Sequence, residues 1–177
     1  MTGNFGFIHD KLDIKILILF ILRRMHEPIT FGVLTELAMC DGGISYFDFA
    51  DCVAELVKTE HVRLKENKYS LTKKGSRNSE ITENNLPFSV RTEAEKSTSA
   101  MRTMLNRNSM IKTSHEAGSN GEYVADLSLS DGIGDIVSIR LFATNERQAV
   151  AIERGFRKNA ESIYSTLIDA ILEEKGS

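Results

Sequence analysis

The spacing of apolar residues changes from helical to alternating within the first third of the chain. Apolar residues recur with a helical period in residues 10–25, 31–39 and 46–59, which predicts three helices. They then alternate with polar and charged residues in residues 61–72, around the corner Glu66-Asn67-Lys68. This alternation predicts a β-hairpin with one buried face. Three helices followed by a hairpin are the parts of a winged helix-turn-helix.

Polar residues mark the starts of these three helices. We expect Asp10 or Asp13 to cap the first helix, Thr30 the second and Ser45 the third. The first helix is apolar on nearly all sides, and a helix without a polar face must be covered all round. We therefore expect a second domain or a second subunit to supply part of its cover.

The remaining residues predict a further helix, a small sheet and a long final helix. Residues 73–87 are polar and indicate a helical turn followed by a linker, which places a domain boundary near residue 80. The later elements are a helix over 89–106, strands over 110–115, 123–129 and 136–142, and a helix that is capped by Asn145 and continues to about residue 175. The apolar stripe of the final helix allows two interpretations, since it can cap the small sheet or pair across a two-fold axis. At roughly 45 Å, this helix is longer than a small domain needs, and its length together with the apolar first helix favours a homodimer.

These elements predict an α+β fold with two domains. Residues 1–80 form an N-terminal winged helix-turn-helix domain. Residues 81–177 form an α/β dimerisation or effector domain, in which a helix, a three-stranded antiparallel sheet and a long C-terminal helix follow one another. The composition, 41% hydrophobic and 27% charged, is that of a chain that can bury a core.

The charge is unevenly distributed. A formal net charge of -3 argues against a chain that coats nucleic acid indiscriminately. Residues 61–78, however, carry six basic residues against Glu66 alone: Arg63, Lys65, Lys68, Lys73, Lys74 and Arg77. Because Lys and Arg neutralise phosphates, we expect these six to bind DNA together with Ser45 and Tyr46. A solvated hairpin with a polar tip has the same composition, so this segment alone leaves both interpretations open.

The third helix favours a different partner. Its apolar residues Phe49, Cys52, Val53, Leu56 and Val57 form the buried face, so the opposite surface is aromatic and acidic. With Glu60, the helix carries four acidic residues against Lys58, and carboxylates repel phosphates. A surface of this kind indicates a contact with a protein. The alternative function is therefore a protein-interaction module that does not bind DNA, with partner-binding residues Phe47, Asp48, Asp51 and Glu55.

The run LVKTEHVRLKENKYSLTKKG, residues 56–75, resembles the end of the PadR-like and MarR-like winged-helix regulators. The whole chain is similar to a small bacterial family of uncharacterised winged-helix proteins known by a domain-of-unknown-function label. Residues 13–25, 45–57 and 148–164 carry this second resemblance. It implies the fold of a bacterial transcription regulator that forms dimers, and it implies no substrate or effector.

The sequence gives little support for a metal site, a redox switch or a membrane segment. The four histidines lack metal-ligand spacing, and Cys40 and Cys52 are typical of small core residues. Residues 131–135 predict a hairpin turn rather than a Ca²⁺ or phosphate loop. The seven apolar residues 16–22 are too few to span a bilayer, which needs roughly 20. We therefore expect no metal, no cofactor, no enzymatic activity and no membrane contact.

Taken together, the residues predict a cytoplasmic, homodimeric winged-helix protein that regulates transcription. Double-stranded DNA is its expected partner and is contacted mainly through the basic hairpin. Two such hairpins in a dimer would face two half-sites of a pseudo-palindromic sequence. Neither the target DNA sequence nor an effector follows from these residues.

Overall fold

The computed structural model describes residues 8, 10–39 and 42–173. Within these residues the chain has mixed α and β structure, with six α-helices and two small antiparallel sheets. The expected α+β class is confirmed. The chain divides into two compact units, Met1–Thr103 and Met104–Ser177, and each is described by itself. The domain limits 1–80 and 81–177 stay a prediction.

The first unit contains five helices, the last of which continues into the second unit, and one sheet. In chain order the elements are α1 (Lys11–Met25), β1 (Ile29–Thr30), α2 (Phe31–Ala38), α3 (Tyr46–Lys58), β2 (Val62–Lys65), β3 (Lys68–Leu71), α4 (Lys73–Thr82), a 3₁₀ turn (Glu83–Asn85) and α5 (Phe88–Met110). The three expected helices and the expected hairpin are therefore confirmed. Strand β1, which was not expected, pairs antiparallel with β3 and gives the sheet the order β1-β3-β2.

Helix α1 is the centre of the first unit. Ile14, Met25 and all residues of 16–22 are buried within the single chain. The helix packs against α2, α3, β3 and α4. The expectation of a helical turn plus linker over residues 73–87 is wrong, because ten of these residues form α4 and cover α1. Since α1 is buried without a second subunit, its apolar surface gives no argument for a dimer.

Two arginines at the end of α1 bind the segments that follow the hairpin. Arg23 forms ion pairs with Glu80 and Glu83 at 3.1 Å. Arg24 pairs with Glu83 at 3.4 Å and with Glu95 at 2.8 Å. These residues lie on α4, the 3₁₀ turn and α5. The ion pairs therefore connect α1 to all three elements.

Two of the three expected caps are confirmed. The carboxylate of Asp10 accepts a hydrogen bond from the backbone of Asp13, and the hydroxyl of Thr30 accepts one from the backbone of Val33. Ser45 is at the N-cap position of α3, but its side chain makes no capping hydrogen bond. The prediction that the side chain of Ser45 caps α3 is therefore wrong.

The second unit is a three-stranded antiparallel sheet with one helix packed on it. The strands are β4 (Ile111–Ala117), β5 (Tyr123–Ser130) and β6 (Asp135–Ala143), in the order β4-β5-β6. Helix α6 (Glu146–Leu172) is capped by Asn145, as expected. Its 27 residues correspond to about 40 Å, with non-helical backbone angles at Asn159.

The core of this unit lies between the sheet and α6. Its buried members are Ile111, Ala125, Leu127, Leu129, Phe156 and Ala160. In strand β5 the buried residues alternate with partly exposed ones, because successive side chains point to opposite faces of a sheet. One face of the sheet is therefore covered by α6.

Candidate nucleic-acid interface

The tip of the β2–β3 hairpin is a two-residue turn. Glu66 and Asn67 both have positive φ angles, 51° and 59°. Positive φ at both central positions is the conformation of a type I′ turn, whose twist matches that of the strands beside it. Lys65 and Lys68 flank this turn and are opposite each other in the strand register. The tip therefore presents two lysines, with Glu66 3.8 Å from Lys65.

The register of the hairpin places its basic residues on one face. Arg63 is opposite Ser70, and Lys65 is opposite Lys68. Because directly opposite residues point to the same side of a sheet, all three basic side chains share one face, and all three are exposed. Val62 and its partner Leu71 point to the other face, where Val62 is buried in the core.

The remaining basic residues lie at the beginning of α4. Thr72 caps this helix by accepting a hydrogen bond from the backbone of Gly75. Lys73, Lys74 and Arg77 are exposed, and the ammonium of Lys74 donates to the carbonyl of Thr59 at 2.8 Å. That hydrogen bond connects the start of α4 to the end of α3.

A cleft of about 650 Å³ brings part of the two basic segments together. Arg63, Lys73 and Lys74 line it beside Glu60, and Thr72 together with apolar side chains of α3 and β2 forms the rest of its wall. His61 lies beside this region. Burial, followed by the positive charge of Lys74, lowers the pKa of His61. At neutral pH its ring is therefore neutral and adds no positive charge.

Most of the basic residues have no acidic partner. Within the described part of the chain, Arg63, Lys68, Lys73 and Arg77 form no ion pair, and Lys65 pairs only with its neighbour Glu66. Exposed pairs of this kind contribute little to stability. The positive charges are thus available to an anion from outside the chain.

Ser45 and Tyr46 lie at the other end of α3. An aromatic cluster connects Tyr46 to strand β3. The ring of Tyr46 is edge-on to that of Phe31, with centroids 6.3 Å apart. Phe31 in turn contacts Tyr69 of β3 at 5.9 Å. The structure therefore brings the start of α3 close to the sheet, while the basic cleft lies near the end of α3.

The outer surface of α3 is less acidic than its sequence indicates. Lys11 of α1 lies 3.2 Å from Asp51 and 3.9 Å from Asp48. Lys15 lies 2.5 Å from Glu55. The hydrogen bond from Lys15 lowers the pKa of Glu55, and the one to Asp51 raises the pKa of Lys11. Two lysines of α1 therefore offset three carboxylates of α3.

Phe47 is the most exposed aromatic residue of this helix. Its side chain is 79% exposed, and that of Tyr46 is 53% exposed. The two rings are edge-on to each other, with centroids 6.0 Å apart. Of the four expected partner-binding residues, Asp48, Asp51 and Glu55 pair with lysines of α1, whereas the ring of Phe47 contacts that of Tyr46.

Sequence reasoning missed Lys11, Lys15 and Phe31. The two lysines are spaced four residues apart on an otherwise apolar helix, which puts them on one side of it. That spacing was the available signal, but only the packing of α1 against α3 shows that their partners are carboxylates. Nothing in the sequence around Phe31 indicated the contacts with two other aromatic rings.

The other sites considered from the sequence have structural roles. Cys52 is buried, and burial raises the pKa of its thiol; Cys40 lies outside the described residues. The carboxylate of Asp131 accepts hydrogen bonds from the backbone of Ile133 and Gly134, which lower its pKa. The expected hairpin turn at this position is confirmed. The described residues contain no group of three or more His, Cys, Asp or Glu placed to hold a metal ion.

None of the helices described here is both long enough and apolar enough to cross a membrane. Residues 14–171 match the family model whose description is Domain of unknown function (DUF4364). This match confirms the expected similarity to a family known by such a label. No curated protein and no solved structure matches the chain.

Proposed function

The chain belongs to the family described as Domain of unknown function (DUF4364), and we propose that it is a transcriptional regulator that binds double-stranded DNA. In this proposal the first unit is a winged helix-turn-helix whose wing is the β2–β3 hairpin. The protein acts as a cytoplasmic, non-catalytic homodimer. Its DNA contacts are made mainly by the wing and the start of α4.

One observation carries the proposal. Arg63, Lys65 and Lys68 share one exposed face of the hairpin, and no acidic residue of another element pairs with them within the described residues. A hairpin whose cations served the fold would direct them to carboxylates of the same domain, as Arg23 and Arg24 do. Cations that remain unpaired on one face favour a polyanion such as the DNA backbone.

The arrangement of the first unit supports the winged-helix interpretation. Strand β1 directly precedes α2 and pairs with β3, and the hairpin follows α3. The start of α3 presents Ser45 and Tyr46, both exposed. Since Lys11 and Lys15 offset the acids of α3, this helix repels DNA less than its sequence alone indicates.

A charge-reversal experiment tests this proposal. We expect Lys65→Glu with Lys68→Glu to weaken binding to duplex DNA at low salt by at least about tenfold, measured by fluorescence anisotropy. The matched control is Lys112→Glu with Lys158→Glu, which changes the net charge equally at two exposed lysines of the second unit. The control variant should bind like the wild type. A wild-type chain without measurable affinity for duplex DNA at low salt contradicts the proposal.

The exposure of Phe47 favours a second candidate function. An aromatic ring that is 79% exposed is typical of a surface that binds another protein. In this alternative the first unit is a protein-interaction module that binds no DNA. Its central contact is Phe47, flanked by Asp48, Asp51 and Glu55. This alternative requires that the wild-type protein binds no duplex DNA in the experiment above.

A further inference from the structure

Strand β6 is an edge strand of the sheet in the second unit. It has nine residues, Asp135–Ala143, and pairs with β5 on one side. No strand of the described chain pairs with its other side. Every second residue therefore directs its backbone N–H and C=O groups outward, as a template for a further strand.

The side chains of β6 do not protect this edge. Ile136 and Leu141 are 41% and 42% exposed, and Phe142 is 75% exposed. Soluble proteins usually protect an edge strand with charged residues, proline, a β-bulge or a covering helix. In β6 the register with β5 shifts only at the start of the strand, at Ile136, and Val137 to Ala143 pair regularly. The one charged residue of 136–143 is Arg140, whose guanidinium is already paired with Asp126 of β5 at 2.7 Å.

At the opposite edge of the sheet, strand β4 differs from β6 in its charged residues and in its hydrogen bonds to α6. Strand β4 carries Lys112, His115 and Glu116. Its Thr113 and His115 hydrogen-bond to Glu153 of α6, and Arg157 of α6 donates to the carbonyl of Ile111. All hydrogen bonds between α6 and the sheet, among the residues described, therefore go to β4. The apolar side chains of β6 are left less covered.

The sequence of β6 is complementary to itself about Ile139. If two copies pair antiparallel across a two-fold axis at this residue, Ile136 is opposite Phe142 and Val137 is opposite Leu141. Ser138 is then opposite Arg140, and Asp135 is opposite Ala143. Each exposed apolar side chain gains an apolar neighbour, and no like charges are opposite each other. An interface of this kind is isologous and closed.

We propose that β6 is the dimerisation strand and that its partner is β6 of a second copy of this chain. The two three-stranded sheets then join into one six-stranded antiparallel sheet. Both copies of α6 lie on the same side of it, because the pairing axis is perpendicular to the sheet. This inference specifies the homodimer of the proposed function, but it requires no DNA binding.

The test is the mass of the chain in solution, measured without DNA by sedimentation equilibrium at micromolar concentration. We expect twice the chain mass for the wild type and a single chain mass for Ile136→Lys with Phe142→Lys. That variant puts lysines opposite each other at both ends of the interface. The matched control is Ile81→Lys with Phe88→Lys, which replaces two apolar residues of the first unit that are 72% and 76% exposed. The control should remain a dimer.

Two results would overturn the proposal. One is a wild type that stays a single chain, and the other is a β6 variant that stays a dimer. A third variant, Ile171→Lys with Leu172→Lys, tests the exposed end of α6, where both residues are more than 70% exposed. If this variant dissociates while the β6 variant remains a dimer, the interface lies on α6 instead.

Hydrogen exchange distinguishes the dissociation of folded chains from the unfolding of a variant. In the wild-type dimer the amides of β6 should be protected from exchange. When dilution halves the mass, the outward amides of β6 should lose this protection while those of β5 keep it. Unchanged protection of β6 on dissociation contradicts the proposal. The wing variant Lys65→Glu with Lys68→Glu should remain a dimer, which separates a failure of DNA binding from a failure of this interface.

Discussion

Gly75 is the residue on which the junction between the β2–β3 hairpin and α4 depends. A Cβ atom at this position would collide with the backbone carbonyl of His61 and lie 3.1 Å from the side chain of Leu71. The hydroxyl of Thr72 donates to the carbonyl of Glu60 at 2.7 Å in the same place. Only glycine allows the helix to approach the end of α3 and the start of β2 this closely.

We expect Gly75→Ala to lower the free energy of unfolding by about 1–3 kcal/mol, the usual cost of overpacking. The control is Gly155→Ala in α6, where a Cβ atom meets nothing within 4 Å. Because alanine favours a helix, this control should raise the free energy of unfolding by about 0.5–1 kcal/mol. Urea denaturation measures both variants, and an unchanged stability of Gly75→Ala would refute the close contact.

At the scale of elements, Glu153 binds helix α6 to strand β4. Its carboxylate accepts a hydrogen bond of 2.7 Å from Thr113 and also contacts the ring of His115. Burial by itself raises the pKa of Glu153, but the hydrogen bonds from His115 and Thr113, with the neighbouring positive charge that includes Arg157, lower the pKa by more, so the net shift is downward. The ionised form of Glu153 is therefore the one that stabilises this contact.

This direction gives a prediction for the stability at acid pH. A carboxylate whose pKa is lower in the folded chain than in the unfolded chain stabilises the fold above its unfolded pKa, and this stabilisation is lost as the pH falls below about 4.5. Glu153→Gln should lower the free energy of unfolding at neutral pH and weaken its dependence on pH in the acid range. Chemical denaturation from about pH 3 to pH 7 measures this.

The matched control for this prediction is Glu116→Gln. Glu116 is an exposed residue of β4, the strand that Glu153 contacts, and it lies on the face of the sheet away from α6. Its replacement should leave the stability at neutral pH nearly unchanged. If the two variants follow the same curve of stability against pH, Glu153 has no special role in joining α6 to the sheet.

At the scale of the whole molecule, a net charge of -3 hides a local excess of positive charge. The six basic residues from Arg63 to Arg77 lie on the hairpin and the start of α4. If each neutralises one phosphate, the logarithm of the DNA affinity should fall against the logarithm of the salt concentration with a slope of about -5 for one wing. A dimer with both wings on one duplex should give a slope of about -11.

This slope is measured by titrating salt into the complex of protein and DNA. For Lys65→Glu with Lys68→Glu it should be smaller by about 2 per wing. A wild-type slope near zero would mean that the basic residues do not neutralise phosphates. The number of hairpins on the DNA and the mass of the free protein are independent tests of the proposed dimer.

Much of the fold could be predicted from the sequence because neighbouring residues decide it. The helices α1, α2 and α3, the hairpin and the cap at Asn145 follow from local apolar spacing and from short polar side chains. Residues 73–87 were expected to form mostly a linker because they are polar, yet α4 is stabilised there by Thr72 and by the ion pair of Glu80 with Arg23. That ion pair joins residues 57 positions apart, and spacing along the chain cannot reveal it.

The sequence by itself determined which residues are basic, that Arg63, Lys65 and Lys68 lie on one hairpin, and that one face of this hairpin is buried, because strand alternation is a local property. Only the tertiary structure decided that Lys11 and Lys15 offset the acids of α3, that Gly75 must be a glycine, and that β6 rather than β4 is the less protected edge. Each of these depends on contacts between residues distant in the chain. Such contacts are fixed when the elements pack, and no local pattern encodes them.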